Sequence, residues 1–306
     1  MTLSQKPIVV VGSINMDLVA STPSIPLAGQ TLIGTDFTTT PGGKGANQAV
    51  AVARLGYPVH MVGAVGEDVF SQALLDNLKD AGVKTEAVTR VTGPSGVAPI
   101  LVASSGENCI VVVPGANGKM TPAIVEEHAD LIRSAGMVLC QLELPLETVR
   151  PTLAICAEAG VPVMLDPAPA AELPDSVWTQ IAWFTPNETE AALYIGKVDA
   201  PEEASKRLLA RGLKGVVLKR GSEGAYVAVA GGEAKWVRPF RVEALDTVAA
   251  GDCFNGAFAV GLLEGRDAWA AACFASAAAA ISVTRRGAQA SMPTRAEVDG
   301  FILSRG

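Results

Sequence analysis

The 306-residue chain is 49% hydrophobic, enough for a substantial core in one large domain or two, and sets 24 basic against 31 acidic side chains for a net charge of −7. That acidic balance offers no electrostatic footprint for nucleic acid or an anionic membrane, so neither partner is expected. Five widely spaced cysteines (Cys109, Cys140, Cys156, Cys253, Cys273) without a C-x-x-C pair argue against a disulfide framework or zinc site and fit a reducing cytoplasm, and His60 and His128 are the only imidazoles.

Residues 1–7 lead into an apolar run without the pattern of a targeting signal, and none is expected. Ile8-Val9-Val10-Val11, closed by Gly12, predicts a strand buried on both faces of a parallel sheet. The loop expected at its carboxyl end carries Asn15 and Asp17, an amide and a carboxylate where open α/β folds bind ligands. Turn chemistry explains this pair equally well, because both residue types readily bond their own backbone. Residues 18–40, rich in Thr, Ser, Pro and Gly, suit short solvated strands. Pro41-Gly42-Gly43-Lys44-Gly45-Ala46-Asn47-Gln48 then opens a helix to about Leu55. Its glycines let polyol hydroxyls approach main-chain N–H groups, with Lys44 and Asn47 adding donors. No Gly-Lys pair is followed by Ser or Thr, so this is not a P-loop.

Downstream, residues 58–65, 137–142, 161–165, 181–184 and 215–219 read as strands, separated by helical segments such as 68–81 and 122–134. The alternation predicts a mainly parallel, doubly wound sheet. Residues 88–113 hold a hairpin, 97–102 against 109–113, expected to join the stretch at about 14–41 in a small antiparallel lid. Strand ends carry Glu143, Asp166, Asn187, Glu188 and Glu190, although helix capping competes as the explanation for Glu188 and Glu190. Lys219-Arg220-Gly221-Ser222-Glu223-Gly224 reads as a turn into another strand at 225–230, where glycines admit a flat ligand or phosphate. The alanine-rich run from Ala268 to Val283 falls short of the ~20 residues a membrane span needs and predicts a buried helix. A turn over 282–291 and a last helix begun by Pro293-Thr294 end the chain.

The most informative stretch is Asp246-Thr247-Val248-Ala249-Ala250-Gly251-Asp252, just before the helical run 253–263. Small side chains at 249–251 leave backbone N–H groups uncovered at a helix start, a cradle for a phosphate. Asp252 beside it could accept a proton from an incoming hydroxyl. Capping would explain Asp252 alone, but not Asp246.

Gly12 to Asp17, Gly42 to Gln48, and Asp246 to Asp252 continuing through Cys253-Phe254-Asn255-Gly256-Ala257 resemble the corresponding segments of the ribokinase-type, or phosphofructokinase B, family of carbohydrate kinases. The resemblance spans nearly the whole chain. It implies one α/β domain over 1–306, with a doubly wound, mainly parallel central sheet, helices on both faces and a small β-sheet lid. It further implies ATP-dependent phosphorylation of ribose at the 5-hydroxyl, with 2-deoxyribose, another small sugar or a nucleoside as alternative acceptors. A non-catalytic sensor on the same fold is the contrasting reading, against which an intact Asp252 argues.

Carried over residue by residue, the resemblance assigns Asp252 to catalysis, Ala249, Ala250 and Gly251 to the anion hole, and Asn15, Asp17, Gly43, Lys44, Asn47 and Glu143 to the sugar. Asn187 and Glu190 fall near the phosphates and Mg²⁺, and Lys219, Gly221, Ser222, Gly224 and Ser276 around ATP. It also implies K⁺ held by Asp246, Ser291 and main-chain oxygens of Val248, Ser282, Arg285 and Gly287, and a homodimer formed through the lid.

Overall fold

The computed structural model describes residues 5–305. In chain order the strands are β1 (Ile8–Val11), β2 (Asn15–Thr22), β3 (Asp36–Gly42), β4 (Val59–Val65), β5 (Lys84–Arg90), β6 (Gly96–Ala103), β7 (Asn108–Ile110), β8 (Met137–Cys140), β9 (Val163–Leu165), β10 (Trp183–Phe184), β11 (Gly215–Lys219), β12 (Ala225–Val229) and β13 (Ala234–Val237). The helices are α1 (Lys44–Arg54), α2 (Ser71–Asp80), α3 (Pro122–Glu127), α4 (Ala129–Ser134), α5 (Leu146–Ala159), α6 (Glu188–Ile195), α7 (Pro201–Leu209), α8 (Ala250–Leu263), α9 (Ala268–Ser282) and α10 (Arg295–Leu303).

Nine strands form one sheet in the order β13-β12-β11-β10-β9-β8-β1-β4-β5, parallel except for the antiparallel β11–β12–β13 edge. Alternation along β1 shows why both faces must be covered. Ile8 and Val10 enter a core that includes residues of α1, α8 and α9, whereas Val9 and Val11 enter another with Val149 and Leu153 of α5. Small residues bring the helices of the first layer close together: a Cβ on Gly256 of α8 would lie 2.8 Å from the Cβ of Ala51 in α1, and one on Gly261 3.0 Å from that of Ala271 in α9. The alanine-rich run is thus a packed helix, and no described helix is long and apolar enough to cross a membrane.

The second sheet, β3-β2-β6-β7, stands apart, and it differs from expectation in three ways. Asn15 and Asp17 do not lie on a loop; they begin β2, on the same side of the strand two residues apart. The sheet is mixed, because β2 and β6 run parallel while β2–β3 and β6–β7 are antiparallel. Residues 88–90 belong to β5 of the large sheet, so the later insertion supplies strands only from Gly96. Two local departures have simple causes. The helix expected over 122–134 breaks at His128, whose φ of −109° and ψ of 14° leave the helical region. The edge strand β13 is short and mostly exposed, so Ala234–Val237 lacks the apolar run that marks a buried strand.

Candidate active site

Helix α8 starts unusually. Its N-cap, Ala249, sits at φ 58°, ψ 13°, the only described non-glycine residue in the left-handed region, and no side chain caps the helix. The N–H groups of Gly251 and Asp252 find no acceptor among the described residues, so the helix presents open donors and the positive end of its dipole. Lys219, at the end of β11, adds charge here: a Cβ on Gly251 would be 3.5 Å from its Nζ. This is a site for an anion.

Asp252, in the first turn of α8, is 4% exposed and does not cap its own helix. Its Oδ2 accepts from Asn47 Nδ2 at 2.9 Å and its Oδ1 from Gln48 Nε2 at 3.1 Å, both from α1. Burial raises its carboxyl above the ordinary value; Lys44 opposes that shift and Asp166 adds to it. A raised carboxylate is a better proton acceptor near neutrality. Lys44 would lose basicity through burial, but Asp252, Asp166, Glu143 and Glu190 outweigh that and hold it firmly cationic.

A polar wall faces the base. Glu143, on the loop after β8, accepts through Oε2 from Ser13 Oγ (2.5 Å), the Lys44 backbone N–H (3.2 Å) and Asn15 Nδ2 (3.5 Å). Asn117 donates to Asn15 Oδ1 at 2.7 Å and thereby turns the Asn15 amide toward Glu143. Asn15 therefore serves a long-range network and not a local turn. Gly43, at φ 89°, lets the chain pass Asn15: a Cβ would come within 2.7 Å of the Asn15 nitrogen. The Asp17 carboxylate makes no hydrogen bond among the described residues although only 9% of the residue is exposed. Burial, with the charges of Glu143 and Asp252, pushes its carboxyl up to about 7.

That unpaired acid gives a two-sided expectation. The folded protein keeps a proton that the unfolded chain releases near its ordinary value of 3.8, so the unliganded fold loses stability as pH rises toward about 7. Asp17→Asn removes this loss, and its Tm advantage over the parent should grow between about pH 5 and about pH 8. It should also weaken use of the hydroxylic substrate by roughly 10–100-fold, since a hydrogen bond to a charged group contributes about 1.5–3 kcal/mol. Thermal scans at both pH values and substrate KM check this; a variant with parent-like KM would return Asp17 to a structural role.

On the opposite side, Asn187 and Glu190 form a capping box on α6: Asn187 accepts from the Glu190 N–H, while the Glu190 carboxylate takes the Asn187 N–H at 2.7 Å and its Nδ2 at 2.9 Å. Burial, against the pull of Lys219, raises the Glu190 carboxyl. Asn187 bridges Lys219 between parallel chains, which ties this cap to the anion cradle. Gly221–Glu223 forms one tight turn ahead of Gly224, whose added Cβ would lie 2.2 Å from the Val237 oxygen. Ser222 lies within this turn; Ser276 is half-buried on α9, and no hydrogen bond joins it to the turn.

Asp246 knits together the loops around 245–248 and 283–287. Its Oδ1 accepts from the Val248 N–H and its Oδ2 from the Gly287 N–H, each at 2.9 Å, while Leu245 and Asp246 both donate to the Val283 oxygen. Ser282 and Arg285 share one turn, the Arg285 N–H reaching the Ser282 oxygen at 3.0 Å. Ser291 donates to the Ala288 oxygen and has no hydrogen bond to Asp246.

Gln48, Asn117, Gln141 and Asp166 carried no assigned role in the sequence. Gln48 Nε2 also donates to Asp166 Oδ2 at 3.1 Å, Gln141 Nε2 donates to Gln48 Oε1 at 2.8 Å, and Lys219 Nζ holds Asp166 Oδ1 at 2.9 Å. Asp166 showed itself only as an acid at a strand end; the glutamines gave no signal, because an amide on a buried helix or strand end resembles any other polar neighbour.

A buried carboxylate facing a wall of amide and carboxylate groups, next to an open helix start flanked by lysine, is the arrangement of an enzyme that transfers a phosphoryl group to a small hydroxylic molecule. The sequence comparisons agree with that class. The chain matches the pfkB family carbohydrate kinases over residues 5–295. It is 44% identical to the ribokinase of Bacillus subtilis, covering 96% of this chain and 99% of that protein, and 42% identical to that of Schizosaccharomyces pombe, covering 96% of each. The solved structure of Arabidopsis thaliana ribokinase complexed with ribose and ATP superposes with a TM-score of 0.91 at 34% identity, over 97% of this chain and 98% of that one. The chain belongs to the pfkB family of carbohydrate kinases.

Proposed function

We propose that this protein transfers the γ-phosphoryl group of ATP to the 5-hydroxyl of D-ribose. The observation that carries this reading is the placement of buried Asp252 between the Asn15–Asp17–Glu143 wall and the uncapped start of α8. Ribokinases similar along the whole chain, one of them seen with ribose and ATP, support it.

In this mechanism Asn15, Asp17, Glu143 and the N-terminal turn of α1 orient the sugar, and Asp252 takes the hydroxyl proton as the oxygen attacks. The open N–H groups of Gly251 and Asp252, with Lys219, meet negative charge on the transferred group, whereas the Ala250 N–H is already taken by the Thr247 oxygen. Asn187 and Glu190 would stand nearest a Mg²⁺ accompanying the nucleotide, where the ion would supply charge neutralisation for the polyphosphate; each Glu190 oxygen, with one hydrogen bond from Asn187, keeps capacity to accept more. Gly221, Ser222, Gly224 and Ser276 line the nucleotide's approach. The small sheet closes over the sugar and limits hydrolysis by water.

K⁺ would be held by Asp246, Ser291 and main-chain oxygens of Val248, Ser282, Arg285 and Gly287, the ligand set the family resemblance implies; in support, the Asp246 carboxylate joins the two loops through the Val248 and Gly287 N–H groups. Such an ion would fix the backbone that carries Ala249. The small sheet exposes Phe37 on its β3 edge and Ile110, followed by Val111, Val112 and Val113, on its opposite β7 edge, apolar surface that suits a second copy of the chain. Sedimentation showing only a monomer would contradict a dimer there. All five cysteines are free thiols, which suits a cytoplasmic setting; fractionation with membranes would contradict it.

The test is an ADP-release assay with Mg²⁺ against D-ribose, 2-deoxyribose, fructose and adenosine, in potassium or sodium buffers of equal ionic strength. Ribose should give the highest kcat/KM, potassium should raise the rate well above sodium, and Asp246→Asn should blunt that rise. If no sugar raises ADP release above the sugar-free rate, the reading fails; equal rates in the two salts remove only the cation.

A further inference from the structure

Gln48 is 1% exposed, and one nitrogen does all its donating: Nε2 bonds Asp252 Oδ1 and Asp166 Oδ2, both at 3.1 Å. Carboxylates are acceptors only, so the amide must face them with its nitrogen. Gln141 enforces that orientation from behind by donating to Gln48 Oε1 at 2.8 Å, and a flipped amide would set nitrogen against nitrogen there and oxygen against two carboxylates. Gln141 is itself packed against Gly12, where a Cβ would lie 2.2 Å from its Oε1; that oxygen has no hydrogen-bond partner among the described residues, so the two carboxylates facing Gln48 set the direction of both amides. Asp166, finally, is fixed by Lys219.

We propose that Gln48 is a positioning residue for phosphoryl transfer: locked by Gln141, its amide fixes the rotamer of Asp252 and couples it through one shared donor to the Asp166–Lys219 pair. This rests on Asp252 as the base. Charged groups act on that base directly or through one neighbour: Lys44 from α1, Asp17 from β2 and Asp166 after β9 directly, Glu143 after β8 and Glu190 on α6 through Lys44, and Lys219 at the end of β11 through Asp166. Among these, Asp166 raises the Asp252 carboxyl, whereas the amide donors Asn47 and Gln48 lower it. Loss of Gln48 therefore raises it, and the acid limb of the kcat profile, where the base becomes protonated, moves to higher pH.

The experiment measures kcat and both KM values across pH for Gln48→Met, Gln141→Met and the double variant Gln48→Met with Asp166→Asn. Gln48→Met should lower kcat by at least about tenfold, leave each KM within about twofold, and move the acid limb upward by roughly half a pH unit or more. Gln141→Met, which keeps the Gln48 side chain and covers the case of a Gln48 variant that does not fold, should move the limb less and in the same direction. The double variant should move it back down, because the charge that raises the base is gone; a packing role would produce none of these limb movements. An unmoved limb in the foldable variants, or a Gln48→Met kcat within about threefold of the parent, overturns the proposal. If Asp252→Asn is inactive while Gln48→Met is normal, only the positioning role falls; if Asp252→Asn keeps its turnover, the base assignment falls with it.

Discussion

Asp252→Asn will lower kcat by about 10²–10⁴, the contribution typical of a positioned general base, equivalent to roughly 3–5 kcal/mol of barrier. Substrate KM should change little, because Asn15, Asp17 and Glu143 remain. The fold should survive at a modest cost. The new amide must turn its nitrogen toward Asn47 or Gln48, setting donor against donor where a carboxylate oxygen now accepts, and this costs about 1–3 kcal/mol. Against that, a buried charge near Asp166 is removed, which favours the folded state. Steady-state rates with ribose, beside a thermal scan showing a cooperative transition, check the prediction; turnover within a few-fold of the parent would return Asp252 to a structural carboxylate.

Ala249 offers the second large effect. An alanine at φ 58° sits where glycine is at ease and a β-branched residue is not. Ala249→Val should destabilise the fold by about 1–3 kcal/mol through backbone strain. It should also lower kcat by roughly 10²–10³, because the open N–H groups at Gly251 and Asp252 move off the developing charge. Ala249→Gly should do the opposite to stability, with an unchanged or higher Tm and a kcat within about threefold, since the left-handed conformation costs an L-residue roughly 1–2 kcal/mol. Paired Tm and kcat measurements separate the two; a valine variant with parent-like kcat would mean the helix start plays no part in transfer.

Much of this site could be read from the chain because the chemistry sits where local pattern is strong. The β-branched run of β1, the glycines preceding α1 and the small residues before α8 each announce a strand or helix end. Asp252 stands in the first turn of α8 and Glu143 on the loop that follows β8. The loop expected at Asn15–Asp17 proved to be a strand because pairing with Thr40–Gly42 and Gly96–Ala98 decides the matter, and those partners are distant in sequence. The same reason hid β5, whose half-exposed residues gain their identity only beside β4. Gln48, Gln141 and Asn117 were illegible for a different cause: their role is to hold other side chains, and no spacing rule marks a donor whose acceptor lies some 100–200 residues away.

The central claim is direct transfer from ATP to the sugar at this site, and the most direct measurement is phosphorus NMR of the product formed from ATP, Mg²⁺ and D-ribose. The account predicts a single sugar phosphate with phosphorus coupled to the protons on carbon 5, appearing in step with ADP and absent with Asp252→Asn. Phosphate on the anomeric carbon, or ADP released with inorganic phosphate and no phosphorylated sugar, would contradict it.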